Sequence, residues 1–212
     1  MRVFEDIVPD LYHSCILTTY AFDQNLFNQH LRSLLVSKGI TNIIILCDVS
    51  NELDAYQLKD LNYSIINVNT RGIFHPKTFT FIGKNNLLAH VGSGNLTYGG
   101  MGLNHEMFMT FACDSKDSPH YPVITEIINY QYSFTSNYRG AIETRLNWII
   151  EHSNLVDGYN KVLTTMVSTS ADGVNYHLLY NGTTSIYSNL IQLIPSSEIN
   201  KIDILSLSLI HI

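Results

Sequence analysis

Residues 74–97 read FHPKTFTFIGKNNLLAHVGSGNLT, and the fold follows from how this stretch is divided. Residues 77–82 are rich in β-branched and aromatic side chains, Gly83-Lys84-Asn85-Asn86 is turn chemistry, and residues 87–91 return as a second apolar run. That is how a β-hairpin is written. Its conspicuous polar residues stand away from the turn: His75 and Lys77 before the hairpin, Gly92-Ser93-Gly94-Asn95 after it, and Asn104-His105-Glu106 a little further on.

Upstream, residues 15–22 are apolar and β-rich. Leu26, Phe27, His30, Leu31, Leu34 and Leu35 then recur at helical spacing as far as the stop at Lys38-Gly39. Residues 43–47 form a continuous apolar run of strand length, the polar stretch 51–61 reads as helical, and 63–68 reads as a strand. The order βαβαβ predicts a parallel sheet covered by helices. Downstream, residues 121–151 carry Ile124, Ile127, Ile128, Ile142, Leu146, Ile149 and Ile150 at helical spacing, which predicts two helices parted near Asn137. Strands are expected over 161–168 and 176–180, a short helix over 185–193 ended by Pro195, and the opening of a last strand over 202–205. Residues 159–206 thus read as a second α/β unit that begins and stops. The final Leu207-Ser208-Leu209-Ile210-His211-Ile212 matches the translation of a common sequencing-library transposon end, so the expectation is a gene product truncated near Ser206.

The chain has 212 residues, 45% of them hydrophobic and 14% charged, enough to fill a core and unlike a disordered tail. With 12 Lys+Arg against 18 Asp+Glu the net charge is -6, so any grip on a polyanion must be local. Cys15, Cys47 and Cys113 form no C-x-x-C pair, and an odd number closes no disulfide framework. Buried thiols in a reducing cytoplasm are the expectation. The N-terminus carries acids where a secretory signal has an apolar run, and no stretch is apolar for long enough to span a bilayer, so no membrane partner is expected.

The chemistry of the polar residues can be read from their types. In a strand, positions i and i+2 share a face, which would set the His75 imidazole beside the fixed positive charge of Lys77, a pair suited to phosphate. Gly92 and Gly94 permit close backbone approach, and the Ser93 hydroxyl and Asn95 amide can donate to an anion. Glu106, if near the imidazole, would accept its second N–H and set its tautomer. An H-x-K arises by chance roughly 0.3 times in a chain of this composition and a G-S-x-N about 0.1 times, but the ordered pair at hairpin spacing far less often. Arg71 reads as a surface arginine, and His90 and His105 read as structural histidines.

Together, His75-Pro76-Lys77, Gly92-Ser93-Gly94-Asn95-Leu96-Thr97 and Asn104-His105-Glu106 resemble the phospholipase D superfamily, whose signature is H-x-K, an Asp a few residues on, then G-S-x-N. The resemblance implies an α/β fold: an α/β/α sandwich on a mainly parallel mixed sheet, with one repeat over 1–114 and a helical connection over 115–158. It implies a nucleophilic His75 that forms a phosphohistidine, and phosphoryl oxygens held by Lys77, Ser93 and Asn95, with no metal or other cofactor. Where the signature places its Asp, this chain has Ile82, Gly83 and Lys84. Together with the Glu106 that follows the G-S-x-N, this resembles the nuclease branch and implies DNA or RNA as the substrate. One H-x-K is half a site in this superfamily, so a second is expected from a missing C-terminal repeat or from a homodimer mate. Two other readings stand beside the nuclease: a hydrolase of lipid or other small phosphodiesters, and a catalytically silent binding or assembly module.

Overall fold

The computed structural model describes residues 2–51, 62–159, 166–171, 173–180 and 185–194. A short N-terminal helix, α1 (Arg2–Glu5), precedes β1 (Ser14–Thr19). Helices α2 (Gln24–Leu26) and α3 (Arg32–Ser37) run into one another through a π-helical stretch, Phe27–Leu31, whose flanking residues keep right-handed helical angles. The Asp23 side chain caps α2 by accepting from the Leu26 N–H, and Gly39 ends the rod at φ +87°, a conformation that glycine adopts without strain. Then come β2 (Asn42–Asp48), β3 (Ser64–Val68), β4 (Thr78–Ile82), β5 (Leu87–Gly92) and β6 (Phe108–Cys113). Helices α4 (Tyr121–Ser133) and α5 (Ala141–His152) follow, parted at 134–140 as the spacing of their isoleucines predicts.

The six strands form one sheet in the order β3-β2-β1-β4-β5-β6. β1 and β2 pair in parallel, as do β2 and β3, and the β1–β4, β4–β5 and β5–β6 ladders are antiparallel. Four of the six strands, β1, β2, β3 and β5, therefore run the same way. Alternate residues feed two cores: Cys15, Leu17, Ile43, Ile45 and Phe79 face α1–α3, whereas Ile16, Ile44, Leu46 and Ala89 face α4 and α5. The result is a mixed α/β sandwich with helices on both faces. Val123, Ile124, Ile127 and Ile128 supply the buried stripe of α4. Strand β6 and helix α1 have no counterpart in the sequence reading. β6 lies at the edge, and apolar Met109 and Ala112 stand on its exposed side, so no alternation of polar and apolar residues marks it in the sequence.

Beyond α5, β7 (Met166–Ala171) and β8 (Val174–Leu179) form an antiparallel hairpin, and α6 (Ile186–Leu193) follows with Ser185 as its N-cap. The predicted helix within 51–61, the start of the predicted strand over 161–168, Pro195, and everything from there to the C-terminus lie outside the described residues. All three cysteines are buried free thiols. Among the described residues, no helix is long and apolar enough to cross a membrane.

Candidate active site

Because β4 is antiparallel to β1 and to β5, its N-terminal end meets the C-terminal ends of both strands. The C-terminal end of β2 lies alongside, so four chain segments converge on one edge of the sheet. The segment carrying His75 enters β4 there. His75 stands ahead of the strand rather than in it, for the β4 ladder begins at Thr78, although the Lys77 carbonyl already accepts from the Gly92 N–H at 3.0 Å. The two side chains meet all the same: Lys77 Nζ lies 2.7 Å from His75 Nδ1 and 2.9 Å from Nε2, and donates to the His75 carbonyl at 3.2 Å. In a neutral ring the ammonium donates to whichever nitrogen carries the lone pair. His75 is exposed, while Lys77 is only 6% exposed. Burial pulls the Lys77 ammonium down to about 8, with the charge of Glu106 opposing that fall.

Two residues that the sequence reading did not single out place the imidazole. The Tyr20 ring, at the exit of β1, packs against the His75 ring with centroids 4.9 Å apart. Asp48, the last residue of β2, is buried; its Oδ2 accepts from the Phe74 N–H at 2.7 Å and its Oδ1 from the Ser50 N–H at 2.9 Å. The residue just before His75 is thereby fastened to the sheet. Burial pushes the Asp48 carboxyl up, but the hydrogen bonds from Ser50 and Phe74 and the charge of His75 outweigh it and hold the group below its usual value.

On the other side of the site, Asn95 Oδ1 accepts from the backbone N–H groups of Tyr20 and Ala21 at 3.2 Å each, with Thr19 Oγ1 also at 3.2 Å. An atom that accepts from two N–H donors must be the oxygen, so the amide nitrogen points the other way, and among the described residues neither of its hydrogens has an acceptor. The close packing behind Asn95 requires glycine. A Cβ on Gly100, in the π-helical turn Gly99–Leu103, would meet the Asn95 carbonyl oxygen at 2.3 Å and its nitrogen at 2.4 Å. Likewise a Cβ on Gly92 would meet the Met107 carbonyl oxygen at 2.3 Å.

Ser93 is exposed, and its hydroxyl donates to Glu106 Oε2 at 2.5 Å and accepts from the Met107 N–H at 3.1 Å. Glu106 Oε1 accepts from Asn104 Nδ2 at 3.3 Å. Where the sequence reading pairs Glu106 with the imidazole, the structure pairs it with Ser93 and Asn104. The Ser93 N–H bonds to the Met107 carbonyl, which lays residues 104–107 alongside the end of β5 and brings the carboxylate to the serine first. His90 is buried, with Nδ1 2.8 Å from Thr110 Oγ1, and burial lowers its ring to about 4, consistent with a structural histidine. Arg71 and His105 are exposed.

Behind the site, Gln131 of α4 donates from Nε2 to the Ile16 carbonyl at 3.1 Å and to Thr78 Oγ1 at 2.9 Å. Thr78 Oγ1 lies 2.8 Å from Thr18 Oγ1. This buried network ties the helix to the β1–β4 junction directly beyond Lys77.

No protein-family model matches the chain, and no curated protein matches it. Among solved structures it is similar to NucT from Helicobacter pylori, at 17% identity over 64% of this chain and 86% of that one, with a TM-score of 0.46. It is similar to Nuc from Salmonella typhimurium, a phospholipase D family member, at 12% identity over 66% and 90% of the two chains, with a TM-score of 0.47. It is also similar to yeast tyrosyl-DNA phosphodiesterase, at 15% identity and a TM-score of 0.43 over 71% of this chain; the match spans 38% of that enzyme.

Proposed function

We propose that this chain is a phosphodiesterase of the phospholipase D type, acting on nucleic acid through His75. One observation carries the reading: the His75–Lys77 pair and Asn95 meet at one sheet edge, both against Tyr20 at the exit of β1, with the His75 segment also fastened to Asp48 at the end of β2. A nucleophile, a cation and a fixed neutral donor at one point are what phosphoryl transfer needs.

In the proposed reaction, a phosphoryl oxygen draws the Lys77 ammonium away from the ring. The freed nitrogen lone pair attacks phosphorus, a P–N bond forms, and the P–O bond to the leaving alcohol breaks. The leaving oxygen takes a proton from a second histidine, supplied by a second H-x-K half-site in a following repeat or in a second copy of the chain. That histidine then deprotonates a water, which attacks phosphorus and breaks the P–N bond. A phosphomonoester and an alcohol result, and His75 is restored. Lys77 and Asn95 hold the phosphoryl oxygens. Ser93 joins them when its hydroxyl turns from Glu106, whose charge helps to keep Lys77 an ammonium at neutral pH. The nucleophile is an imidazole, so this route needs no metal ion.

The test is cleavage of single- and double-stranded DNA and RNA, and of bis(p-nitrophenyl) phosphate, by the full chain with and without EDTA. His75→Ala is expected to lower the rate by at least about a thousandfold while leaving the fold intact, because the ring is exposed. Cleavage at equal, measurable rates by the variant and the parent would refute the role of His75, and activity abolished by EDTA would refute the metal-free route.

A further inference from the structure

A cavity of about 600 Å³ opens beside the proposed phosphate site, and its wall includes His75 and Lys77. This lies within the size range of small-ligand sites, roughly 300–1,000 Å³. The rest of the wall comes from the segment leading into β4 and its first residue, from the end of β5, from α4 and the residue just after it, and from β8, Tyr180 and α6, with aliphatic side chains such as Ile73, Val91 and Leu178 among the rings. Among the described residues the lining holds no carboxylate, and Lys77 is the one Lys or Arg there. The cavity is therefore unsuited to a second phosphate and open to an uncharged group attached to the first.

The character of the wall narrows that group. Four of its residues form a chain of touching rings. Phe74 meets Phe134 at 5.0 Å and 73°, Phe134 meets Tyr130 at 5.0 Å and 85°, and Tyr130 meets Tyr180 at 5.1 Å and 41°. The hydroxyls of Thr70, Thr78 and Tyr180 are taken up by the Gly72 carbonyl, by Thr18 and Gln131, and by Glu126. The Tyr130 hydroxyl has no such bond among the described residues, and burial raises its pKa to about 12, so it stays a neutral donor. Aromatic surface with one available hydroxyl fits a flat ring with polar edges better than an aliphatic chain, which would leave that hydroxyl unmatched.

We propose that this cavity is a subsite for an unstacked nucleobase carried on the nucleotide whose phosphate His75 engages. The proposal rests on the phosphodiesterase reading and extends it to a substrate class. A base can enter a side cavity only after leaving its stack, so the site selects single-stranded or locally unpaired nucleic acid.

Calorimetric titration of the full chain with three phosphates of one charge type tests this: 2′-deoxyadenosine 5′-monophosphate, deoxyribose 5-phosphate and hexyl phosphate. The nucleotide is expected to bind at least about tenfold more tightly than deoxyribose 5-phosphate. Phe134→Leu and Tyr130→Leu should shrink that ratio below about threefold without changing the affinity for deoxyribose 5-phosphate, which also serves as the check that each variant is folded. Equal affinities for nucleotide and sugar phosphate in the parent protein would overturn the subsite and leave the phosphodiesterase reading standing. Hexyl phosphate binding as tightly as the nucleotide would overturn the nucleobase in favour of an aliphatic, lipid-like group. Binding of none of the three would overturn the phosphate site itself, and the proposal with it.

Discussion

Replacing Asp48 by alanine should damage the site without touching any residue that meets substrate. The carboxylate accepts the Phe74 N–H at 2.7 Å and the Ser50 N–H at 2.9 Å, and it is itself buried. Phe74 is 2% exposed, so its N–H would be left without a partner and with little access to water. Hydrogen bonds to a charged group contribute roughly 1.5–3 kcal/mol, and an orphaned buried donor costs about 1–3 kcal/mol. These overlap for a single acceptor, so the loss should be about 2–3 kcal/mol, or a fall in melting temperature of about 4–12 °C for a chain of this size. Asp48→Asn should cost nearly as much. The two N–H groups approach different oxygens, and an amide offers only one, setting its own NH₂ against the other donor. Because the folded carboxyl titrates below its unfolded value, its contribution is complete above the unfolded pKa and disappears as pH falls through the folded one. The stability gap between parent and Asp48→Asn should therefore close on acidification below about pH 4. Urea unfolding at pH 7 and pH 3 measures both effects. The loop would also lose its register, and a displacement of about 1 Å at a nucleophile costs on the order of a hundredfold in rate. An Asp48→Ala protein with the parent's stability and cleavage rate would refute the idea that this carboxylate holds the His75 segment.

Other outcomes follow from the same geometry. Asn95→Asp retains the oxygen that accepts from Tyr20 and Ala21 but removes the amide donor, so melting should change little while the cleavage rate falls about a hundredfold or more, as thermal unfolding and steady-state kinetics would show. Lys77 titrates near 8, so kcat/KM should fall as pH rises through that value. In Lys77→Arg, which stays charged, a pH–rate profile should lack that alkaline limb even if its plateau is lower. Gly100→Ala drives a methyl group to 2.3 Å from the Asn95 carbonyl oxygen, so it should cost at least tenfold in rate and also lower the melting temperature.

The β4–β5 hairpin, the amphipathic rod over 24–37 and the break between α4 and α5 were legible because each depends on spacing over a few residues. The turn at 83–86 and the isoleucines of α4 and α5 are local signals, and the structure reproduces them. That His75, Lys77, Ser93 and Asn95 gather at the end of the hairpin away from its turn was legible for the same reason, their residue types standing at hairpin spacing. What escaped were positions whose role arises only from strand order. Tyr20 and Asp48 lie 55 and 27 positions before His75, and nothing in their neighbourhoods marks them.

By itself, then, the sequence determined the local elements and the chemical types at the site, because side-chain periodicity and turn chemistry act over short distances. Tertiary structure alone decided how those elements combine. β4 passes over β2 and β3 to pair antiparallel with β1, and this sets the exits of β1 and β2 beside the entry to β4. That choice rests on which apolar faces can be buried together, a property of the whole sheet and its two helical layers. From it come the Asp48 anchor, the Tyr20 contact, the orientation of the Asn95 amide, and the pairing of Glu106 with Ser93.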